Sequence, residues 1–300
     1  SVKKLLKFLL ALVFILLVAV VALFAYGHWR YSQATSKVYP IADPPLTIAR
    51  DAATIERGRH QFNVLACVEC HGKDGSGKIA IDAGPVGVIV APNLTPGALP
   101  SSYDADSLAA AIRHGVRADG TPLLVMPSED FAHLSDSDTA ALVAYIQSMP
   151  RSSNDPGKSA LKPLGYILFG LGKLPLLPAE RIDHAPRERA TPAVAATAEY
   201  GEYLARACTG CHGQNYAGQH VPGTPAELPD AANLTPHADG LKGWQQADFV
   251  RAIREGKRPD GRVLNTFMPW PVMKQMSDTE LAAIWAYLQT LPPVPDKKKG

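Results

Sequence analysis

Cys67-Val68-Glu69-Cys70-His71-Gly72 is answered further along the chain by Cys208-Thr209-Gly210-Cys211-His212-Gly213, an offset of 141 from Cys67 to Cys208. The correspondence spreads outward from these hexapeptides. Asn93-Leu94-Thr95-Pro96 returns as Asn233-Leu234-Thr235-Pro236, Ile112-Arg113 as Ile253-Arg254, Asp119-Gly120 as Asp260-Gly261 and Met126-Pro127 as Met268-Pro269. Across these matches the offset moves only between 140 and 142. Each copy ends on a Ser-Asp step, an apolar stretch and a proline: Ser135 to Met149 before Pro150, and Ser277 to Leu291 before Pro292. A serine N-cap and a proline stop therefore bound a closing helix in both, and two homologous domains stand in tandem.

Each copy reads as a helix ahead of the cysteine pair, a Gly/Pro-rich loop, a middle helix (Asp106 to His114; Ala247 to Glu255), a methionine-bearing loop and the closing helix. No convincing strand pattern is present, so the predicted fold class is all-α. The expected division is residues 1–30 as a transmembrane anchor, 31–150 as the first domain, 151–190 as a linker and 191–300 as the second domain, with a solvated tail from Pro292. The linker is rich in Pro and Gly and holds one apolar patch, Leu161 to Leu177, interrupted by Lys162, Pro163, Lys173 and Pro175. That patch is too short and broken to span a membrane. Packing on a domain or partner, and contact with a bilayer surface, both remain open for it.

Outward to the N-terminal end, Lys3, Lys4 and Lys7 precede a run from Phe8 to Tyr26 without a charged side chain. At about 1.5 Å per residue such a run covers roughly 28 Å, close to the hydrocarbon thickness, and Tyr26 and Trp29 suit the interface. The run is longer than a signal-peptide core and no small-residue cleavage site follows it, so a retained single-pass helix is predicted. The leading lysines favour the cytoplasmic side, which sends both domains to the periplasmic face of an inner (cytoplasmic) membrane. Net charge is +2, with thirty Lys and Arg against twenty-eight Asp and Glu, and the lysine runs sit only at the chain ends. Nucleic-acid binding is therefore not indicated.

C-x-x-C-H is an attachment sequence for c-type haem: two thiols add to the two vinyl groups and the adjacent histidine meets the iron. Here Cys67, Cys70 and His71, and Cys208, Cys211 and His212, consume all four cysteines of an exported chain. A zinc site would want its cysteine pairs some 15 to 20 residues apart, and a structural or redox disulfide in each pair is the other alternative. Two covalently attached haem c groups, one iron each, are the expectation. A sixth iron ligand must be sought among the remaining His and Met residues. Across the aligned copies His60 faces Tyr203, His114 faces Glu255, His133 faces Gln275, Met149 faces Leu291 and Met273 faces Phe131, so none recurs. Met126 and Met268 do, each on a Pro-flanked loop, and are the predicted axial ligands. Thioether ligation raises the potential and leaves no open iron site, which suits electron carriage.

With these motifs the chain resembles the class I cytochromes c, and more narrowly cytochromes built from tandem class I domains, over roughly Ile55 to Pro150 and Tyr200 to Pro292. The resemblance implies that the first and last helices of each domain cross at a small residue and an aromatic, Gly58 with Tyr145 and Gly201 with Tyr287. It also implies a backbone carbonyl accepting the proton of the iron-binding histidine, Pro92 in the first copy. Ala232 stands there in the second, where loss of proline's rigidity would loosen the bond. Arg113 and Arg254 suit either a haem propionate or a solvated face. Trp244 reads first as core and Trp270 first as a haem contact. The motifs are similar to those of cytochrome subunits of membrane-bound periplasmic dehydrogenases. The implied function is a membrane-tethered electron relay, not itself an enzyme. It would work between a respiratory donor, a dehydrogenase or quinol-oxidising complex, and a terminal oxidase or soluble cytochrome. A dihaem cytochrome c peroxidase, which needs one open iron, is the alternative.

Overall fold

The computed structural model describes residues 2–186, 188–221, 224 and 227–296, so the last four residues of the expected tail lie outside it. It is mainly helical. The first helix, α1 (Val2–Ser36), continues past Arg30 because nothing breaks it before Pro40, and it is long and apolar enough to cross a membrane. The first repeat holds α2 (Ala52–Val64), α3 (Cys67–His71), α4 (Ala105–His114), α5 (Ser128–Phe131) and α6 (Asp136–Ser148). After α7 (Pro163–Gly170), the second holds α8 (Ala198–Ala205), α9 (Thr209–His212), α10 (Gln246–Glu255), α11 (Trp270–Met273) and α12 (Asp278–Leu288).

The helix ends follow local chemistry. Asp51 caps α2 by accepting from the N–H groups of Ala53 and Thr54, Ser135 caps α6, and Ser277 with Glu280 makes a capping box on α12. Gly115 and Gly256, both left-handed, end the middle helices α4 and α10. In each domain the first and last helices cross where a glycine lets the backbones meet. A Cβ on Gly58 would overlap the Ala141 carbonyl and lie 2.8 Å from the Tyr145 Cβ; one on Gly201 would overlap the Ala283 carbonyl and lie 2.8 Å from the Tyr287 Cβ.

Two features depart from the sequence expectation. Lys78–Asp82 (β1) and Gly87–Ala91 (β2) form an antiparallel hairpin, and Ala160–Leu161 (β3) from the linker adds a third strand beside β2. The β-branched run Gly87-Val-Ile-Val-Ala91 supplies the strand propensity, so the fold is not strictly all-α. Arg113 is buried rather than on a solvated face, while Arg254 stays on the surface beside the exposed Asp278. Arg113 Nε donates to Thr139 at 2.9 Å and Nη2 to Asp136 at 2.7 Å, and Arg254 Nη2 donates to Asp278 at 2.8 Å. Both guanidinium groups thus pin a middle helix to the first turn of the closing helix.

The linker is fastened along the first domain. Beyond β3, α7 packs on α1, and Leu177, Pro178 and Ala179 are buried beside α4 and α5. The segment after α1 also wraps this domain: Tyr39 N–H donates to Gly120 O at 3.0 Å, and Asp43 reaches His114 at 3.0 Å and Arg189 at 2.7 Å. Between the domains, His60 of α2 lies 3.0 Å from both carboxylate oxygens of Glu280 on α12. Tyr203 of α8 donates to Asp138 of α6, which also pairs with Arg57 at 2.5 Å. His133 meets the Tyr203 carbonyl at 2.8 Å, and Asp130 reaches Gly210 and Thr209.

Candidate functional site

The two cysteine-histidine turns end alike, on Gly72 and Gly213, but are entered differently, the second through a 3-10 turn over Arg206–Cys208. Ala66, left-handed at φ 60°, separates α2 from the single turn of α3, and Gly72 at φ 80° ends it. The Asn-Leu-Thr-Pro stretch then supplies a carbonyl to the histidine. Asn93 Oδ1 accepts from Thr95 N at 2.9 Å and Thr95 Oγ1 at 2.7 Å, while its Nδ2 donates to Ser152 O at 3.0 Å and Asn154 O at 2.9 Å. This asparagine therefore locks the loop to the chain leaving the closing helix, and the preceding Pro92 carbonyl lies 3.1 Å from His71 Nδ1. In the second domain Asn233 bonds Thr235 N at 2.8 Å, Thr235 Oγ1 at 2.7 Å and Val294 O at 2.7 Å. There the Ala232 carbonyl stands 2.7 Å from His212 Nδ1. Loss of proline thus does not lengthen this bond. The asparagine side chain, not the proline ring, fixes the carbonyl, a role the repeat of Asn-Leu-Thr-Pro signalled without revealing.

These contacts decide which ring nitrogen is offered. A carbonyl can only accept, so Nδ1 carries the hydrogen in both histidines and Nε2 keeps its lone pair. Burial pushes both imidazoles below their ordinary range, partly opposed by the carbonyl bond, so they are neutral near pH 7. Burial likewise pushes the Cys67 and Cys208 thiols up to about 12. None of the four cysteines is in a disulfide. Among the described residues no group of three or more His, Cys, Asp or Glu could hold a metal ion, which leaves the zinc alternative without a site. A neutral imidazole fixed by its far nitrogen, with two unpaired thiols one turn away, fits covalent haem with proximal histidine ligation.

Each hydrophobic cluster gathers the other parts. In the first domain Cys67, Leu94 and Met126 pack against Phe62, Leu108, Phe131 and Leu142; in the second Cys208, Leu234 and Met268 pack against Phe249, Ile253, Leu281 and Leu288. Met149 and Met276 are buried in these cores and Met273 packs on the second, in keeping with a filling role. Trp244 packs in the second core with Arg258 5.7 Å from its ring centre. Trp270 lies over Gly256, and its indole Nε1 is buried with no hydrogen-bond partner among the described residues. A buried indole N–H of this kind fits a bound acceptor such as a haem carboxylate.

The methionine loops differ. Val125, just before Met126, is left-handed at φ 62°, costly for a β-branched residue, and its N–H is held by Leu176 O of the linker at 2.8 Å. Gly115 is covered by Pro178 of the linker, where its counterpart Gly256 is covered by Trp270. Around Met268 the loop is open among the described residues: Val263 is 68% and Phe267 45% exposed.

A family model described as Cytochrome c matches residues 55–150 and 198–292. The cytochrome c subunit of an alcohol dehydrogenase (quinone) from Gluconacetobacter polyoxogenes is 26% identical over 275 residues, covering 82% of this chain and 57% of that subunit. The chain thus spans little more than half the length of that relative. A diheme cytochrome c-type protein of Cereibacter sphaeroides is 25% identical over 284 residues, covering 85% of this chain and 92% of its own. The crystal structure of reduced recombinant cytochrome c4 from Pseudomonas stutzeri matches 81% of this chain and all of its own at 23% identity, with a TM-score of 0.24.

Proposed function

The chain belongs to the cytochrome c family, and from that premise we propose that it is a membrane-tethered dihaem relay serving a periplasmic dehydrogenase or a comparable respiratory donor. It is an electron carrier with two covalently bound haem c groups. Cys67 and Cys70 would attach the first and Cys208 and Cys211 the second, with His71 and His212 as proximal ligands and Met126 and Met268 as distal ones. When bound, each haem supplies one-electron iron chemistry. The protein's own part is to fix the ligands, exclude water and set the charge around each iron. The Nδ1 bonds to Pro92 and Ala232 fix the imidazoles; Met126 and Met268 are half-buried against the two cores.

The observation that carries this reading is the duplicated set of C-x-x-C-H turn, carbonyl-anchored histidine and loop methionine packed on one core per domain. A methionine at both equivalent positions argues against the open iron of a peroxidase. Lys3, Lys4 and Lys7 in the first turns of α1, ahead of its apolar run, support a cytoplasmic start and periplasmic domains. The similarity to an alcohol dehydrogenase cytochrome subunit supports a dehydrogenase as donor, and a terminal oxidase or soluble cytochrome is the corresponding acceptor. A reductive optical titration with haem quantified per chain tests the reading. Two low-spin centres, each with the near-infrared band of Met-bound ferric haem, are expected. One high-spin centre in the resting protein would move the peroxidase reading ahead.

A further inference from the structure

We propose that α7 and the turn behind it to Lys173 form a seat on the phospholipid surface at which α1 leaves the bilayer. The inference rests on α1 being a membrane span.

The level of α7 follows from α1. Lys7 is the last charged residue before the apolar run. A hydrocarbon core of about 30 Å takes about 20 residues of helix, which puts the far border near Gly27. At that residue α7 crosses. A Cβ on Gly27 would overlap the Tyr166 carbonyl and lie 3.2 Å from Ile167 N, and one on Gly170 would lie 2.7 Å from the Gly27 Cα. Two glycines therefore let the backbones touch. Rings close the contact on either side: Tyr166 stands 5.8 Å from Phe24, 5.0 Å from His28 and 5.3 Å from Tyr31, and Phe169 is 5.5 Å from Tyr31. Arg30 Nη1 donates to Gly170 O at 2.8 Å, tying off the C-terminal end of α7.

What α7 leaves uncovered suits lipid. Leu164 and Leu171 are 40% and 51% exposed, and Leu171 follows Gly170, which meets Gly27 and the exposed Tyr26 of α1. Tyr and Trp concentrate where acyl chains give way to headgroups. Eight residues cannot span, so the segment lies along the surface. Lys162 and Lys173 bracket it and no acidic residue lies between them, which matches anionic headgroups. The exposed surface is continuous with the lipid-facing surface of α1, and this continuity favours lipid over a protein partner. The seat also reaches the first haem domain directly. Gly165 lies beneath the Val86 carbonyl and Lys162 N–H donates to Val86 O at 3.0 Å, so the β1–β2 hairpin rides on α7.

The test uses the full haem-loaded chain in vesicles of phosphatidylcholine and phosphatidylglycerol. A nitroxide is placed at Leu171→Cys, with Val18→Cys in the span and Val263→Cys on the second domain as references; the native cysteines are held as thioethers. Collisions with oxygen and with a water-soluble nickel chelate are compared. The expected oxygen-to-nickel ratio at position 171 is several-fold above that at 263 and below that at 18, which lies near mid-bilayer. A lipid-like ratio at 18 with a water-like ratio at 171 overturns the seat and leaves the anchor standing. A water-like ratio at 18 overturns the anchor, and the seat with it.

Discussion

Gly58→Ala and Gly201→Ala place one methyl group in each helix crossing, and the outcome reads the packing directly. On an open helix glycine to alanine stabilises by about 1 kcal/mol. Here the new Cβ lies 2.8 Å from the Tyr145 or Tyr287 Cβ, besides overlapping a backbone carbonyl that cannot rotate away. Carbon atoms rest about 3.5–4.0 Å apart, so α2 and α6, or α8 and α12, must part by about 1 Å. Over-packing on this scale costs roughly 1–3 kcal/mol. Contact with the carbonyl puts it at the upper end, for a net loss of about 2 kcal/mol after the helix gain. For a domain near one hundred residues that lowers the melting temperature by roughly 8 °C or more. Scanning calorimetry of the haem-loaded protein measures it. Because the 2.8 Å approach is the same in both domains, the two losses should be alike. Either variant melting at or above the parent refutes the crossing.

Met126→Ala and Met268→Ala should each keep both haems attached, open one iron and lower its potential, as redox titration will show; unchanged spectra would remove the ligand assignment. In the parent protein, imidazole should displace Met268 at lower concentration than Met126, whose loop the linker holds through Val125 and Leu176. The His60–Glu280 contact carries a pH dependence. Its bond to Glu280 holds His60 above its ordinary value; burial raises Glu280, but its bonds to His60 and Ser277 more than offset this and leave it low. The histidine share of stability is therefore full below about pH 6.5 and fades as pH rises through the raised value, while the glutamate share is full above about pH 4.5 and fades below it. His60→Gln should accordingly cost roughly 1 kcal/mol near pH 5.5 and little near pH 9 in thermal melts. Asp130 of the first domain sits beside the Cys208–His212 turn, and burial pushes its carboxyl up to about 7. Asp130→Asn should raise the second haem's midpoint potential above that pH and leave it unchanged well below, with the first haem unaffected throughout.

The duplicated motifs made the tandem plan, the closing helices with their serine caps, and the Gly58–Tyr145 and Gly201–Tyr287 crossings legible, because each depends on local residue chemistry that recurs. The hairpin at Lys78–Ala91 escaped since, among the described residues, its counterpart in the second copy is a single bridge, Gln219 with Ala231, and its third strand comes from the linker. Comparing copies also hid the domain interface. His60 and Tyr203 differ, as do Asp138 and Glu280, and a search for shared ligands discards them; yet each is the partner of a residue in the other copy. Arg113 and Arg254 recur for a structural reason, a tie to the closing helix, that sequence cannot separate from propionate binding.

The contacts between the domains exchange roles. Position 60 of one repeat meets position 280 of the other, and the equivalents of those positions, 203 and 138, meet in return. A surface that greets its own counterpart in this crossed fashion is the isologous surface of a two-fold dimer. One repeat thus carries both halves of a self-recognising face, and the tandem chain is arranged as a dimer whose two halves share one chain. The two sides of the contact differ in chemistry: imidazole against carboxylate on one, phenol against carboxylate on the other. The pair keeps its two-fold plan, with one arm whose histidine is held in its charged form by a carboxylate and one that joins a phenol to a carboxylate.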